Sequence, residues 1–324
     1  MRYLNLKLPL LLLGIAFSFA QSGTAKAESQ DIIEYGKMCA AAIKSIPAFD
    51  CMEGTVIPIT VNGKTPDRYY PDMDCDRPSL LNFGKGTDGQ CTPFSRILNL
   101  SDGDRQVSAL CRRKFIRDEF STEFDEIDIV AHNVSDGSTC WFQATPAEGQ
   151  TIDGSDVPSP DGETDPLRIK LTRSIWNPPQ EVAKDGCGNC HDNDPFMHSP
   201  YIGQVWDQVP TNPFGWYKHL GPDFKEWKHV SISTRGNNCT SCHRLGTQFT
   251  GGQATEEAIG IFPIANANEN ARSYPLNHSM PVGNPYSLEQ WKTIYQHSVD
   301  RITECHEDNN ASGCIITPIT GRPE

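Results

Sequence analysis

Twelve cysteines in a chain of 324 residues constrain its folding more than any other feature, because their neighbours divide them into two populations. Four stand in Cys187-Gly188-Asn189-Cys190-His191 and Cys239-Thr240-Ser241-Cys242-His243, two copies of one C-x-x-C-H pattern. The other eight are Cys39, Cys51, Cys75, Cys91, Cys111, Cys140, Cys305 and Cys314. A chain this long can bury a core without cross-links, so size does not explain them. An oxidising compartment does, and an even set of eight reads there as up to four disulfides. Pairing between sequence neighbours would join Cys39–Cys51, Cys75–Cys91, Cys111–Cys140 and Cys305–Cys314, each closing a loop worth about 2–4 kcal/mol. The last pair is remote from the others and flanks the polar run Glu307-Asp308-Asn309-Asn310.

The C-x-x-C-H pattern is the attachment signature of c-type haem. Each thiol adds across one vinyl group of the porphyrin to give a thioether, and the His after the second Cys ligates the iron. Zinc knuckles and dithiol redox motifs also use C-x-x-C, but neither needs a His after both copies. Zinc ribbons separate their knuckles by about 15–20 residues, whereas 48 residues lie between Cys190 and Cys239.

On these ten residues the chain resembles the c-type cytochromes, specifically a di-haem member. A C-terminal echo adds to the resemblance. Asn277-His278-Ser279-Met280-Pro281 precedes a capping-box start, Ser287-Leu288-Glu289-Gln290, and apolar Trp291, Ile294, Tyr295, Val299 and Ile302 at helical intervals. The resemblance implies two covalently bound haem c groups on Cys187, Cys190, Cys239 and Cys242, with iron ligation by His191 and His243. It also implies a mainly α-helical cytochrome domain that exchanges single electrons with a redox protein or enzyme partner. The order of motif, Met-Pro loop and closing helix implies Met280 as distal ligand of the second haem, with His278 as its rival. For the first haem His198 is the leading distal candidate, seven residues past His191, and His229, His219 and Met197 stay open. Trp206, Phe214, Trp216, Phe224 and Trp227 are expected to line haem, since a flat apolar cofactor needs broad apolar side chains around it. His132, His297 and His306 are expected to be structural or solvated.

The N-terminus agrees with export. Arg2 and Lys7 precede a nearly continuous apolar run, Leu8 to Ala20, and Ala25-Lys26-Ala27 offers a small-x-small cleavage site. Residues 1–27 are therefore expected to be a signal peptide, and the mature protein periplasmic or secreted. No later apolar stretch approaches membrane-spanning length, so an integral membrane protein is not expected. Loss of Arg2, Lys7 and Lys26 would take the formal charge from −13 to −16. An acidic chain repels phosphate, which disfavours nucleic acid and anionic lipid as partners and favours a cationic redox partner.

The expected fold class is α+β, a disulfide-stapled mixed N-terminal region (28–144), a linker rich in Pro, Gly, Asp, Ser and Thr (145–166), and a di-haem domain (167–324). A helix is expected over residues 30–46, strands over Thr55–Val61 and Glu126–Ala131, and a hairpin through Asn133-Val134-Ser135-Asp136-Gly137 into Ser138–Gln143. Ser101-x-x-Asp104 ahead of Val107, Leu110, Cys111 and Phe115 reads as a capped helix. His243 follows His191 by only 52 positions, so both haems are expected in one compact domain. Two other functions fit the same residues. One is a di-haem peroxidase or thiosulfate-type oxidoreductase with one exchangeable iron site, although peroxidases spread their motifs over two similar domains. The other is a redox module that docks an enzyme or surface through its N-terminal region, where no catalytic constellation is visible.

Overall fold

A computed structural model describes residues 30–61, 64–71, 73, 75, 91–162, 164–197, 203–252, 255 and 286–323, with the backbone alone for Gly203, Gln204, Trp206 and Leu288. The expected signal peptide, His198, His278 and Met280 lie outside the described residues. The first element is helix α1 (Ile32–Ala42), whose Asp31 side chain caps the Ile33 amide at 3.0 Å. Its buried face carries Ile32, Ile33, Tyr35 and Cys39 and lies on a sheet.

That sheet is built from β1 (Thr55–Val56), β2 (Arg96–Asn99), β3 (Arg105–Arg112), β5 (Glu126–Asn133), β6 (Ser138–Ala144) and β8 (Lys218–His219), in the order β1-β2-β3-β5-β6-β8. All neighbours are antiparallel except β8, which runs parallel to β6. The expected hairpin between β5 and β6 is present. Gly137 closes its turn at φ 82°, a left-handed conformation open to glycine, while Asn133 Oδ1 accepts from the Ser135 amide at 3.0 Å. Two further strands, β4 (Glu123–Phe124) and β7 (Ile152–Asp153), form a separate ribbon.

The capped helix expected after Ser101 is strand β3 instead. Val107, Ala109 and Cys111 alternate into the core with no exposed surface, which is the period of a strand. Leu110, one of the apolar positions behind the helical expectation, packs on the opposite face with Ile57 and Ile97. Asp102-Gly103 is a turn: Asp102 and Arg105 bridge across it, Gly103 adopts φ 53°, and the Ser101 hydroxyl receives the Val107 amide rather than capping a helix.

Residues 145–166, expected as a linker, run against the core. Phe49 and Val157 exchange backbone hydrogen bonds, the Trp176 indole donates to the Pro158 carbonyl at 2.9 Å, and Thr172 donates to the Ser159 carbonyl at 3.0 Å. Gly36 lets the Pro160-Asp161 backbone cross α1 where any Cβ would collide. The core therefore continues past this segment, taking in Trp176, Val182, Tyr217 and Phe224 beside Ile127 and Ile129.

Among the described residues the C-terminal half is not mainly helical. Short helices α2 (Pro166–Ile175), α3 (Pro179–Lys184) and α4 (Cys187–Cys190) precede strands β8, β9 (Val230–Thr234), β10 (Leu245–Gly246) and β11 (Cys314–Pro318), the last three forming the sheet β10-β9-β11. Val230, Ile232 and Thr234 of β9 and Ile315, Ile316 and Thr317 of β11 are β-branched and favour strands, and this preference prevails over the helical expectation. The closing helix is present as α5 (Leu288–Trp291), a π-helical stretch over Lys292–Gln296 and α6 (His297–Glu307). Its capping box is complete: Ser287 Oγ accepts from the Gln290 amide at 3.2 Å, and Gln290 Oε1 accepts from the Ser287 amide at 2.9 Å. Among the described residues no helix is long and apolar enough to cross a membrane.

The eight cysteines outside the motifs all form disulfides, but two of the expected pairings exchange partners. Cys75–Cys91 and Cys305–Cys314 are as expected, whereas the others are Cys39–Cys140 and Cys51–Cys111. Register forbids Cys111–Cys140. Cys111 faces Ile127 and Cys140 faces Ala131 on the intervening strand β5, so the two are separated by two strand spacings and four residues of stagger. That is roughly 10 Å across the sheet and 13 Å along it, beyond the about 7 Å Cα limit for a disulfide. Cys39–Cys140 instead ties α1 to β6, with Cα atoms 6.1 Å apart.

Non-reducing peptide mapping should recover Cys39–Cys140 and Cys51–Cys111. The double change Cys51→Ala and Cys111→Ala should lower unfolding stability by about 2–4 kcal/mol in denaturant. A free thiol at any of these four positions in the native protein would contradict the assignment.

Candidate functional site

The four cysteines left as free thiols are those of the two C-x-x-C-H motifs. Both motifs adopt the same turn. The His191 amide donates to the Cys187 carbonyl at 2.9 Å, and the His243 amide to the Cys239 carbonyl at 2.9 Å. One helical turn brings two thiols and a following imidazole to a common edge, which is what two thioether links and an axial ligand require.

The first motif sits on the main core. Gly188 is buried because Trp227 and His229 cover it, and a Cβ there would meet the indole at 2.9 Å. His191 Nδ1 lies 3.0 Å from the Pro195 carbonyl, which can only accept, so the proton is on Nδ1 and the lone pair on Nε2. A ligating histidine is commonly oriented in this way by its other nitrogen. The Tyr217 hydroxyl donates to the His191 carbonyl at 2.8 Å, and the Trp141 ring meets the His191 ring edge-on at 4.8 Å.

Two more histidines join this group. The Trp141 indole N–H donates to His219 Nδ1 at 2.9 Å, and the His219 and His229 rings lie 4.7 Å apart and nearly perpendicular. Tyr217 stacks on His229 at 5.6 Å. Burial holds all three imidazoles below their usual range: His191 and His229 are each lowered to about 4, and His219 falls well below 6.5 with the His229 and His191 charges adding to the effect. Neutral imidazoles are the form that binds metal.

Three ring nitrogens in the group, His219 Nε2, His229 Nδ1 and His229 Nε2, are buried without a hydrogen-bond partner. Such atoms are rare in folded proteins and mark a missing partner. This observation and the two free thiols fit haem at the first motif, with Cys187 and Cys190 as thioether positions and His191 as ligand. A zinc knuckle fits less well. Burial pushes the Cys187 thiol up to about 12, helped by the Asp128 and Asp185 charges, and Cys190 up to about 11. Among the described residues no three Cys, His, Asp or Glu side chains converge as a metal site.

The second motif is seated differently. Asn237 Oδ1 accepts from the Cys239 and Thr240 amides at 2.9 and 3.2 Å, and its amide nitrogen donates to the Ser298 carbonyl at 2.8 Å. Asn238 donates to the Ile294 carbonyl at 2.9 Å within the π-helical stretch, where the backbone bonding pattern is shifted. Cys239, like Tyr295, packs against the cluster of Trp291 and Val299. Burial lowers His243 as well.

The segments just after each motif interlock. Arg244 pairs with Asp194 and donates to the Gly215 carbonyl at 2.8 Å, and Asn193 donates to the Arg244 carbonyl. Asp192 accepts from the Gln248 amide at 2.7 Å and the Thr250 hydroxyl at 2.5 Å, and Gly246 passes against its carboxylate where a side chain would not fit. Burial pushes Asp192 and Asp194 each up to about 6, against these bonds and against Arg244.

Of the residues expected to line haem, Trp227 belongs to the histidine group and Phe224 packs on Trp227 and Tyr35 in the core. Phe214 and Trp216 are about half exposed, and the side chain of Trp206 lies outside the described residues. His132 is structural: its Nδ1 donates to Thr139 Oγ1 and its Nε2 accepts from Asn212, each at 2.9 Å. His297 is exposed and His306 partly buried. Trp141 and Tyr217 were not legible as site residues, since one lies in the N-terminal half and the other carries no motif. The opposite charges just after the motifs, Asp192-Asn193-Asp194 and Arg244, are the sequence signal for this interlock.

Arg244→Met should destabilise the protein by about 3 kcal/mol at neutral pH, because it strands the Asp194 carboxylate in a largely desolvated setting. Adding Asp194→Asn should recover part of that loss in urea denaturation, and additive effects of the two changes would show that the pair is not coupled. Comparison with protein-family models, with curated proteins and with solved structures finds no match to this chain, so its own residues alone define the site.

Proposed function

We propose that the chain is an exported di-haem c-type cytochrome that passes single electrons between redox partners. The observation that carries this reading is the partition of the cysteines. Eight close disulfides, and the four that do not are those of two C-x-x-C-H turns, each followed by its bonded His. In an oxidising compartment, thiols that escape disulfide formation need another covalent fate, and thioether links to haem supply it. Haem, when bound, would bring to each site an iron able to alternate between ferrous and ferric states.

The protein's own contribution is to position and exclude. His191 is oriented by the Pro195 carbonyl, His243 by the turn that Asn237 holds, and the aromatic group of Trp141, Tyr217 and Trp227 keeps water from the first site. The Arg244 interlock fixes the two motifs relative to each other, which limits the reorganisation that accompanies electron transfer. Met280 remains the proposed distal ligand of the second haem.

Intact mass of the mature protein should show two haems that survive acid–organic extraction. Cys187→Ala with Cys190→Ala should remove one of them. A chain carrying none would sink the reading, as would retention of both in that variant.

Redox titration should resolve two one-electron steps, the higher belonging to the Cys239–Cys242 haem because a thioether ligand raises the potential. A sulfur-to-iron absorption band should be present in the oxidised protein and vanish in Met280→Ala. If band and potentials persist in that variant, His278 takes the place of Met280. Peroxide consumption with an electron donor, together with a high-spin ferric signal, would replace the carrier by a peroxidase.

A further inference from the structure

We infer that the cleft where the end of β9, the start of α6 and the turn before β11 meet is a binding site for one small inorganic oxyanion of the phosphate or sulfate class. The inference is independent of the di-haem reading, since it uses none of the motif residues. The cleft has a volume of about 150 Å³, and Arg235, His297 and Arg301 stand in its walls. No carboxylate is among the described residues that line it. In a chain with 41 acidic and 28 basic side chains, cationic groups gathered without an acid between them are an exception. His297 and Arg301 are four positions apart on α6 and so share one face. A protonated His297 and Arg301 repel at that spacing, and an anion held between them turns the repulsion into attraction. Arg235 joins them only through the tertiary fold, from the turn that leaves β9.

Arg235 is exposed and makes no hydrogen bond or ion pair with the described residues. Arg301 is fixed, pairing with Glu304 and donating to the Ser312 carbonyl. Glu304 offsets one positive charge and does not line the cleft, which leaves Arg235 and a protonated His297 uncompensated there. Two buried hydroxyls complete the donor set. Thr234 Oγ1 accepts from Asn237 and Ser298 Oγ from the Asn238 amide, each at 3.0 Å, so the proton of each hydroxyl can turn toward the cleft. The frame leaves space for a ligand. Gly313, at φ 84°, sits where a Cβ would meet Arg301 Nη2 at 3.0 Å, and Gly236, at φ 72°, has no atom within 4 Å of the corresponding point. Cys305–Cys314 ties α6 to β11 with Cα atoms 5.6 Å apart, so the donors are held in place before a ligand arrives. Planar guanidinium groups fit the oxygen edges of a tetrahedral oxyanion, whereas chloride offers no such edge. An anionic lipid also carries phosphate, but a chain with a formal charge of −13 is repelled from such a surface, so the oxyanion is one free in solution.

The test is calorimetric titration of the purified protein at constant low ionic strength, with inorganic phosphate, sulfate and chloride as separate probes. Phosphate and sulfate should each saturate one site per chain and compete with each other, and chloride should displace neither. Arg235→Gln should weaken both by about tenfold, the equivalent of one lost charge-assisted hydrogen bond, and leave the melting temperature without anion unchanged. Arg235→Lys should recover part of the affinity, because an ammonium keeps the charge and lacks the planar fork. His297→Gln keeps a donor and removes the charge, so it should reduce the rise in melting temperature that phosphate produces. It supplies the second readout if Arg235→Gln melts early. Vesicles of phosphatidylcholine with phosphatidylglycerol should not sediment the protein. The absence of a saturable site for either oxyanion would overturn the inference, as would unchanged affinity in both variants or displacement by chloride at equal ionic strength. Sedimentation with the vesicles would overturn the assignment to a free oxyanion.

Discussion

The Trp141 indole holds together parts of the molecule that are distant in sequence. Its backbone amide donates to the Tyr35 hydroxyl of α1, its ring edge rests on His191, and its N–H donates to His219 on β8. The residue before it, Cys140, is the disulfide partner of Cys39. Two consecutive residues of β6 thus clamp α1 to one side of the strand and the first motif to the other. Because the indole can only donate, the same bond also sets the tautomer of His219, so a packing contact decides which nitrogens near the motif keep a lone pair.

Around this strand the two C-x-x-C-H turns occupy different surroundings. The first is pressed into the aromatic core of the main sheet, where burial keeps its imidazoles neutral. The second hangs from the π-helical stretch and α6 through Asn237 and Asn238, with Cys242 exposed. Under the di-haem reading, two haems in unlike environments acquire unlike potentials, since burial and hydrogen bonding tune the iron. Arg244 makes the pair one unit. It follows one motif, pairs with Asp194 just beyond the other, and accepts a hydrogen bond from Asn193 at its carbonyl.

Features whose physics is local were legible in sequence. The turn Asn133–Gly137, α1 behind Asp31 and the Ser287–Gln290 capping box all form as their residues require, because each depends on bonds within a few positions. Ser101-x-x-Asp104 misled because Ser and Asp serve turns as readily as caps, and Gly103 next to Asp102 settled the choice. The expectation of a mainly helical C-terminal half came from resemblance, and the β-branched residues of β9 and β11 overrode it through pairing with each other.

The sequence by itself determined the chemistry available: four thiols and two histidines at haem-attachment spacing, eight further cysteines destined for disulfides, and an acidic surface. Tertiary structure decided partnership. Which cysteines met depended on the register of β3, β5 and β6, so Cys39–Cys140 and Cys51–Cys111 replaced the pairs that are neighbours in the chain. Likewise His219 and His229 are equivalent in sequence, as imidazoles on either side of Gly221-Pro222. One received the Trp141 N–H and the other did not, because only folding of β8 beside β6 brings an indole from the N-terminal half to that ring.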